Sequence, residues 1–340
     1  MTTNYAFREG EKEYFQRIFE PAQHIVVTTH KSPDGDAVGS STALVGILRS
    51  LGKSVTLIFP DALPDFLLWL PELDGHLLYD QHTNECDAAI DAADLIFSLD
   101  YNRLNRVGSA LENKLRSKTT DFVLIDHHEE PEGFALVTYS HTKACSTAEL
   151  IYAWSEQMDW MNHINAQVGT SIYCGIMTDS GSFRFPSVTA SVHRIVADLK
   201  DRGVDHAAIH QAVYDSNLID RMRLVGYAIS EKLEVIEQGK VAIIHLTKDE
   251  LLRFHYRQGD TEGLVNQALS VNGVRLAAFF REGNNEIKIS LRSKGSIDVN
   301  QFAAKHFGGG GHKNAAGANS LMLMDQLMEY FKLHVSEALS

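Results

Sequence analysis

Short apolar runs alternate with stretches of helical periodicity through the first half of the chain. Residues 24–29 (HIVVTT), 54–59 (SVTLIF), 95–99 (LIFSL) and 122–125 (FVLI) read as strands, because they are β-branched or continuously apolar and short. Helical patterns follow at about 40–51, where Gly52 stands as a C-cap glycine, and at 149–158, behind a Ser146/Glu149 capping-box pair. Two more run at about 165–177 and 190–202, the latter closed by Gly203. Strands without polar alternation, separated by helices, predict a doubly wound α/β domain whose mainly parallel sheet is buried on both faces. We assign it to residues 1–205.

From 206 to 233 the pattern stays helical, and this stretch reads as a connector. Strand signals return at 241–246, 275–281 and 286–291, with Gly283-Asn284-Asn285 as a turn between the last two. A helix at about 299–306, a glycine run and a helix at about 322–337 complete a smaller α/β domain with a mixed sheet over 234–340.

Composition narrows the class. At 340 residues, 44% hydrophobic and 22% charged, the chain is ordinary for a globular protein of two domains. No apolar run is long enough to span a bilayer, and the charged N-terminus lacks a signal-peptide core. Cys86, Cys145 and Cys174 are scattered, with no CxxC pair, which fits a reducing, cytoplasmic setting. The formal charge of −13 and the lack of a basic stripe argue against long-duplex nucleic acid as a partner. A small anionic substrate gripped locally stays compatible with that charge.

The chemistry concentrates at strand ends. His30-Lys31-Ser32-Pro33-Asp34-Gly35-Asp36 follows the first strand, Asp100 ends the third, and Asp126-His127-His128 ends the fourth. In open parallel sheets ligands bind at the carboxyl ends of the strands. Asp179, in Thr178-Asp179-Ser180-Gly181, follows a predicted helix and can approach the same crevice. A single Asp after a strand reads first as a turn former or helix cap, and a lone His as a satisfied structural residue. Several carboxylates sharing one crevice need a cation, because each raises the others' pKa. Four aspartates and two histidines (His30, Asp34, Asp36, Asp100, His127, Asp179) supply enough ligands for two divalent ions sharing one carboxylate. Such a pair, roughly 3.5–4 Å apart, generates hydroxide from water and clamps both oxygens at phosphorus. Mixed oxygen and imidazole ligation puts Mn²⁺ first, with Mg²⁺ or Co²⁺ as alternatives. A second cluster, Phe307-Gly308-Gly309-Gly310-Gly311-His312-Lys313 to Gly317, offers backbone N–H groups to an anion, and Arg292 nearby offers a charged fork.

In order and spacing these motifs resemble the DHH/DHHA1 phosphoesterases, the triplet being Asp126-His127-His128, and the likeness covers nearly the whole chain. Within that family the pattern is most similar to the two-domain group that degrades very short oligoribonucleotides and dephosphorylates 3′-phosphoadenosine 5′-phosphate. The resemblance implies that residues 1–205 are the catalytic domain and 234–340 the substrate-binding domain. It implies that His30 and Asp34 hold one metal, that Asp36, His127 and Asp179 hold the other, and that Asp100 bridges. His128 would face the substrate phosphate or leaving group, with Asp126 supporting the histidines. Arg292, Gly310, Gly311 and His312 would bind substrate across an interdomain cleft, and a homodimer is compatible with the family. Ser180 stands where many relatives have threonine, and the hydroxyl is kept.

Two alternatives remain at this stage. One is a soluble cyclic- or linear-dinucleotide phosphodiesterase on the same domains. The other is a nucleotide-sensing protein that keeps the fold without the reaction, against which the complete ligand set counts.

Overall fold

The structure is a computed structural model in which residues 5–339 are described; Met1–Asn4 of the charged N-terminal stretch and Ser340 lie outside them. The chain divides into two compact units, one running to Ser216 and the other starting at Asn217. The helical stretch read as a connector consists of two helices, His206–Tyr214 in the first unit and Ile219–Glu231 in the second.

In the first unit, β1 (His24–Thr28), β2 (Ser54–Phe59), β3 (Leu77–Leu78), β4 (Leu95–Leu99), β5 (Asp121–Asp126) and β6 (Val137–Ser140) form one sheet. Every pairing is parallel and the order is β3-β2-β1-β4-β5-β6. Both faces are covered, as the unbroken apolar strands require. Ile25, Val27, Phe97 and Ile125 point into a core shared with Val38, Leu44, Trp154 and Ile172. Val26, Ile96 and Phe122 point the other way, against Ile90, Leu111 and Leu115. The strand order reverses between β1 and β4, so a crevice opens at their carboxyl ends.

The helix after β1 spans Gly35–Ser50, several residues earlier than its apolar periodicity indicates. Its start is set by Asp34, whose Oδ1 accepts from the Asp36 and Ala37 amides at 3.1 Å each. The Ser146 hydroxyl caps the helix Thr147–Gln157, accepting from the Glu149 amide. Glu149 does not complete a capping box: its carboxylate accepts from the Cys145 amide and the Tyr5 hydroxyl. The helix Ala166–Asp179 runs two residues past the expected end, so Asp179 is its last residue. This helix packs closely on Gly35–Ser50. A Cβ on Gly39 would stand 2.6 Å from the Ser171 carbonyl oxygen and 2.8 Å from the Gly175 amide.

In the second unit, β7 (Glu234–Ile236), β8 (Val241–Leu246), β9 (Leu276–Glu282), β10 (Ile287–Ser293), β11 (Gly310–His312) and β12 (Ala315–Ser320) form a mixed sheet. Its order is β11-β12-β10-β9-β8-β7, with β8 and β9 parallel and the other pairs antiparallel. One face packs on Val299, Phe302, Leu327 and Phe331. Part of the other packs on Leu224, Leu264 and Val265. The glycine run is not one open loop. Gly308 ends the helix Val299–Phe307 at φ +64°, while Gly310 and Gly311 lie in β11. Asn314 fixes the β11–β12 turn by donating to Ser293 Oγ and to the Gly295 and Ile297 carbonyls. Among the described residues, no helix is long and apolar enough to cross a membrane, and all three cysteines are free and buried.

The close helix contact yields a stability prediction. Gly39→Ala should destabilise the first unit by about 1–3 kcal/mol through overpacking, despite alanine's better helix propensity. Gly226→Ala, in an exposed helix with nothing within 4 Å of the new Cβ, should instead stabilise by about 0.5 kcal/mol. Urea midpoints of the two variants, moving in opposite directions, would bear this out.

Candidate metal centre

Three strand ends and two helix ends meet in the first unit's crevice. His30 lies two residues beyond β1, Asp100 one residue beyond β4, and Asp126 closes β5 with His127 and His128 behind it. Asp36 enters from the first turn of Gly35–Ser50 and Asp179 from the end of Ala166–Asp179. Sequence reasoning thus named residues that the fold brings together.

Asp100 is the centre of the cluster. It is 2% exposed, and its backbone sits at φ +63°, a left-handed conformation that costs a non-glycine residue energy. Its Oδ2 lies 3.4 Å from His30 Nε2, and its Oδ1 3.5 Å from His127 Nε2. His127 Nε2 is also 3.8 Å from Asp36 Oδ2 and 3.6 Å from Asp179 Oδ2, while His30 Nε2 is 3.9 Å from Asp34 Oδ1. Two donors each about 2.1 Å from a shared ion stand roughly 3–4 Å apart, depending on the angle between them, and these separations fall in that range. Among the possible ligand groups are His30/Asp34/Asp100 and Asp36/Asp100/His127, which share Asp100.

The imidazoles are oriented for the same purpose. His30 Nδ1 meets the Lys31 carbonyl at 3.0 Å and His127 Nδ1 meets the Ala144 carbonyl at 3.3 Å. A carbonyl only accepts, so each Nδ1 carries the proton and each Nε2 faces carboxylate oxygens. That arrangement calls for a cation at Nε2 and is the usual support of a metal-binding histidine. His128 Nδ1 is held by Asp126 Oδ1 at 2.8 Å, and Asp126 Oδ2 accepts from the His128 amide at 3.0 Å. Asp126 is fully buried, so it serves His128 and not solvent.

Charge crowding shows in the protonation tendencies. Burial and the Asp100 and Asp179 charges push Asp36 well above the usual carboxylate range. Burial opposes ionisation of Asp100 too, but hydrogen bonds from His127 and His30 outweigh it and hold Asp100 well below that range. Burial works against the His127 imidazolium, yet Asp100, Asp179 and Asp36 raise its pKa well above normal; His30 moves the same way through Asp100 and Asp34. Burial and the Arg106 charge instead lower His128. The raised pKa values of His30 and His127 favour imidazolium charge against the carboxylates, a balance that a divalent cation would supply.

One participant was missed from sequence. The Thr147 amide donates to Asp36 Oδ2 at 2.6 Å and the Ala148 amide to Asp36 Oδ1 at 2.9 Å, seating that carboxylate on the N-terminus of Thr147–Gln157. The Thr147 hydroxyl donates to Asp100 Oδ1 at 2.8 Å. The capping pattern at Ser146 marks where these amides begin, and it was the available signal.

The second unit carries the other predicted residues. Arg292 in β10 pairs with Ala315 of β12, which pairs with His312 of β11, so Arg292 and His312 stand in one cross-strand row on the same sheet face. Arg292 Nη1 donates to the Leu291 carbonyl at 3.0 Å. Gly310 shares that face, two residues from His312, and Gly311 takes the opposite one.

Residues 24–176 match the DHH family, N-terminal domain, and residues 238–332 match the DHHA1 domain. A Thermus thermophilus protein named bifunctional oligoribonuclease and PAP phosphatase NrnA is 30% identical over 329 residues, covering 93% of this chain and 90% of that protein. The chain belongs to the DHH/DHHA1 family. It is accordingly a metal-dependent phosphoesterase. Over the whole chain it is also similar to the crystal structure of an exopolyphosphatase-related protein from Bacteroides fragilis. That structure has 37% identity and a TM-score of 0.91, with 99% of this chain and 98% of that one covered. RecJ from Thermus thermophilus, solved in complex with Mn²⁺, shares the fold at 13% identity and TM-score 0.56, covering 99% of this chain and 55% of RecJ.

Because the Thr147 hydroxyl holds the shared carboxylate, Thr147→Val should weaken divalent-metal affinity by roughly 10- to 100-fold while leaving the amide contact to Asp36 intact. The Mn²⁺ concentration needed to raise the melting temperature measures this. An unchanged titration would show that the hydroxyl does not hold Asp100.

Proposed function

We propose that this chain is a dinuclear, Mn²⁺-dependent phosphoesterase that hydrolyses very short oligoribonucleotides and 3′-phosphoadenosine 5′-phosphate. The observation that carries the reading is the position of Asp100 in both ligand groups, one oxygen toward His30 and the other toward His127. His30 and Asp34 would hold one ion, Asp36, His127 and Asp179 would hold the other, and Asp100 would be shared between them. Mixed imidazole and carboxylate donors favour Mn²⁺ over Mg²⁺, with Co²⁺ an acceptable substitute. Bound there, two divalent ions activate water and neutralise charge on the phosphoryl oxygens.

The chain's own groups do the rest. Asp126 fixes the His128 ring through Nδ1, which leaves Nε2 as the atom that exchanges a proton with the leaving oxygen. The helix N-terminus at Thr147 holds the Asp36 carboxylate in place. Arg292, Gly310, Gly311 and His312 contribute the substrate-binding surface of the second unit. The substrate class comes from the name of the Thermus relative, aligned along nearly its full length. Such substrates arise inside cells, so the reading is of a cytoplasmic enzyme; a homodimer belongs to it as a proposal.

The test is Mn²⁺-dependent hydrolysis of a 5′-labelled RNA ladder from dimer to 24-mer, beside 3′-phosphoadenosine 5′-phosphate, cyclic dinucleotides and inorganic polyphosphate. Rapid loss of the shortest RNAs, or phosphate release from the bisphosphate, supports the reading. Turnover confined to cyclic dinucleotides or polyphosphate replaces it, and binding without turnover of any substrate points to a sensor.

Two variants sharpen the assignment. Asp100→Asn keeps the shape and tolerates the left-handed backbone that alanine would strain, yet should lower kcat at least 100-fold in saturating Mn²⁺. Near-native turnover would refute the shared-ligand assignment. His312→Ala should raise KM for short substrates about 10-fold while the Mn²⁺ requirement stays unchanged; equal kinetic constants would remove His312 from the binding surface.

A further inference from the structure

The segment between Asp100 and Gly108 is pinned from several sides. The Asn102 carbonyl accepts from the Glu132 amide at 2.7 Å, and Asn102 Nδ2 donates to the Glu129 carbonyl. The Leu104 amide donates to Glu132 Oε2 at 3.0 Å. At the segment's far end, the Arg106 carbonyl accepts from the Lys31 amide at 2.8 Å, directly beside His30. The backbone of Arg106 is therefore tied to the loop after β1, while the segment's other end is tied to the loop after β5.

Cations around this segment are mostly committed. Arg103 pairs with Glu130 at 2.6 Å, Arg116 with Glu112 and Glu132, and Lys114 and Lys118 with Asp91. Arg106 differs. Half-buried in the short helix Leu104–Val107, its guanidinium makes no ion pair or side-chain hydrogen bond among the described residues. Its charge reaches both His30 and His128, histidines from two different strand ends, and opposes protonation of each. A guanidinium without a carboxylate partner, on a segment tied beside His30 in a chain of net charge −13, is a fork available to an anion from outside.

We infer that Arg106 binds the phosphoryl group undergoing hydrolysis, its guanidinium hydrogen-bonding non-bridging oxygens next to His128. This deepens the phosphoesterase reading and rests on it for the identity of the substrate, but phosphate binding itself can be measured without turnover. Arg106 is then a catalytic residue in the direct sense, a donor that meets charge building on phosphoryl oxygens. Lysine would restore the charge without the planar fork.

Calorimetric titration of the Mn²⁺-loaded full chain with inorganic phosphate tests this, with Arg106→Ala and Arg106→Lys beside the wild type. We expect phosphate affinity to fall about 10- to 100-fold in Arg106→Ala and less in Arg106→Lys. The Mn²⁺-induced rise in melting temperature should stay at the wild-type value in both, and kcat/KM for a diribonucleotide should fall in parallel with phosphate affinity. Phosphate affinity within twofold of wild type in Arg106→Ala would overturn the inference, as would a wild type that binds no phosphate. Loss of the Mn²⁺ response in Arg106→Ala would also overturn it, showing a structural role. Arg106-dependent phosphate binding without turnover of any RNA would uphold the inference and sink the proposed substrate class instead.

Discussion

Buried carboxylates at the carboxyl end of a parallel sheet are the constraint on which the rest of this molecule depends. Asp36 and Asp100 are almost wholly removed from water, within reach of Asp179 and of each other's ligands. Such a group is tenable only if positive charge or oriented donors meet each oxygen. The chain supplies both. Asp36 takes two amides of a helix N-terminus, Asp100 takes the Thr147 hydroxyl, and both face imidazole nitrogens. The strained backbone at Asp100 answers the same need, since it turns the carboxylate back over the sheet's end between two histidines.

Position follows from packing that is remote in chemical character. Gly39 and Gly175 let the helices Gly35–Ser50 and Ala166–Asp179 approach at backbone distance. A Cβ on Gly175 would stand 2.5 Å from that of Ala148 and 2.9 Å from Asp36 Oδ1. Three helices thus converge on small residues, and that convergence brings Asp36, Asp179 and the Thr147 amide together. The loop contacts of Asn102, Glu132 and Lys31 do the corresponding work on the other side, locking the β4 loop against those after β1 and β5. The metal centre is held by backbone proximity as much as by its ligands.

What was legible in the sequence follows from these two layers. Strands β1, β2, β4 and β5 announce themselves through unbroken apolar runs, and their terminal Asp and His residues announce the crevice. The start of the helix at Gly35 was hidden because it is fixed by a cap at Asp34, while apolar periodicity begins only later. Thr147 was hidden because its amide does the binding, and only the Ser146 cap before it marks that amide in the sequence. Strands β11 and β12 were hidden because Gly310–His312 and Ala315–Ser320 are poor in β-branched and aromatic residues; pairing with β10 and the Asn314 anchor form them instead. The Ser146/Glu149 pair was read correctly as a helix start but wrongly as a capping box, since the glutamate is drawn to the Cys145 amide and the Tyr5 hydroxyl.

The negative net charge bears directly on how such a site handles a polyanion. In the crevice Asp34, Asp36, Asp100 and Asp179 lie together. In the proposed dinuclear enzyme two divalent ions would offset those four carboxylates, and the inferred role of Arg106 would add attraction for phosphate. Attraction built this way is short in range, because salt screens charges within about 8–10 Å at physiological ionic strength. A long strand would leave most of its phosphates beyond that range, on a chain of net charge −13. A substrate with only a few phosphates places nearly all of its charge within reach of the ions. For the proposed enzyme, a preference for short substrates would therefore follow from where the positive charge sits, before any steric argument about the fit of a longer chain.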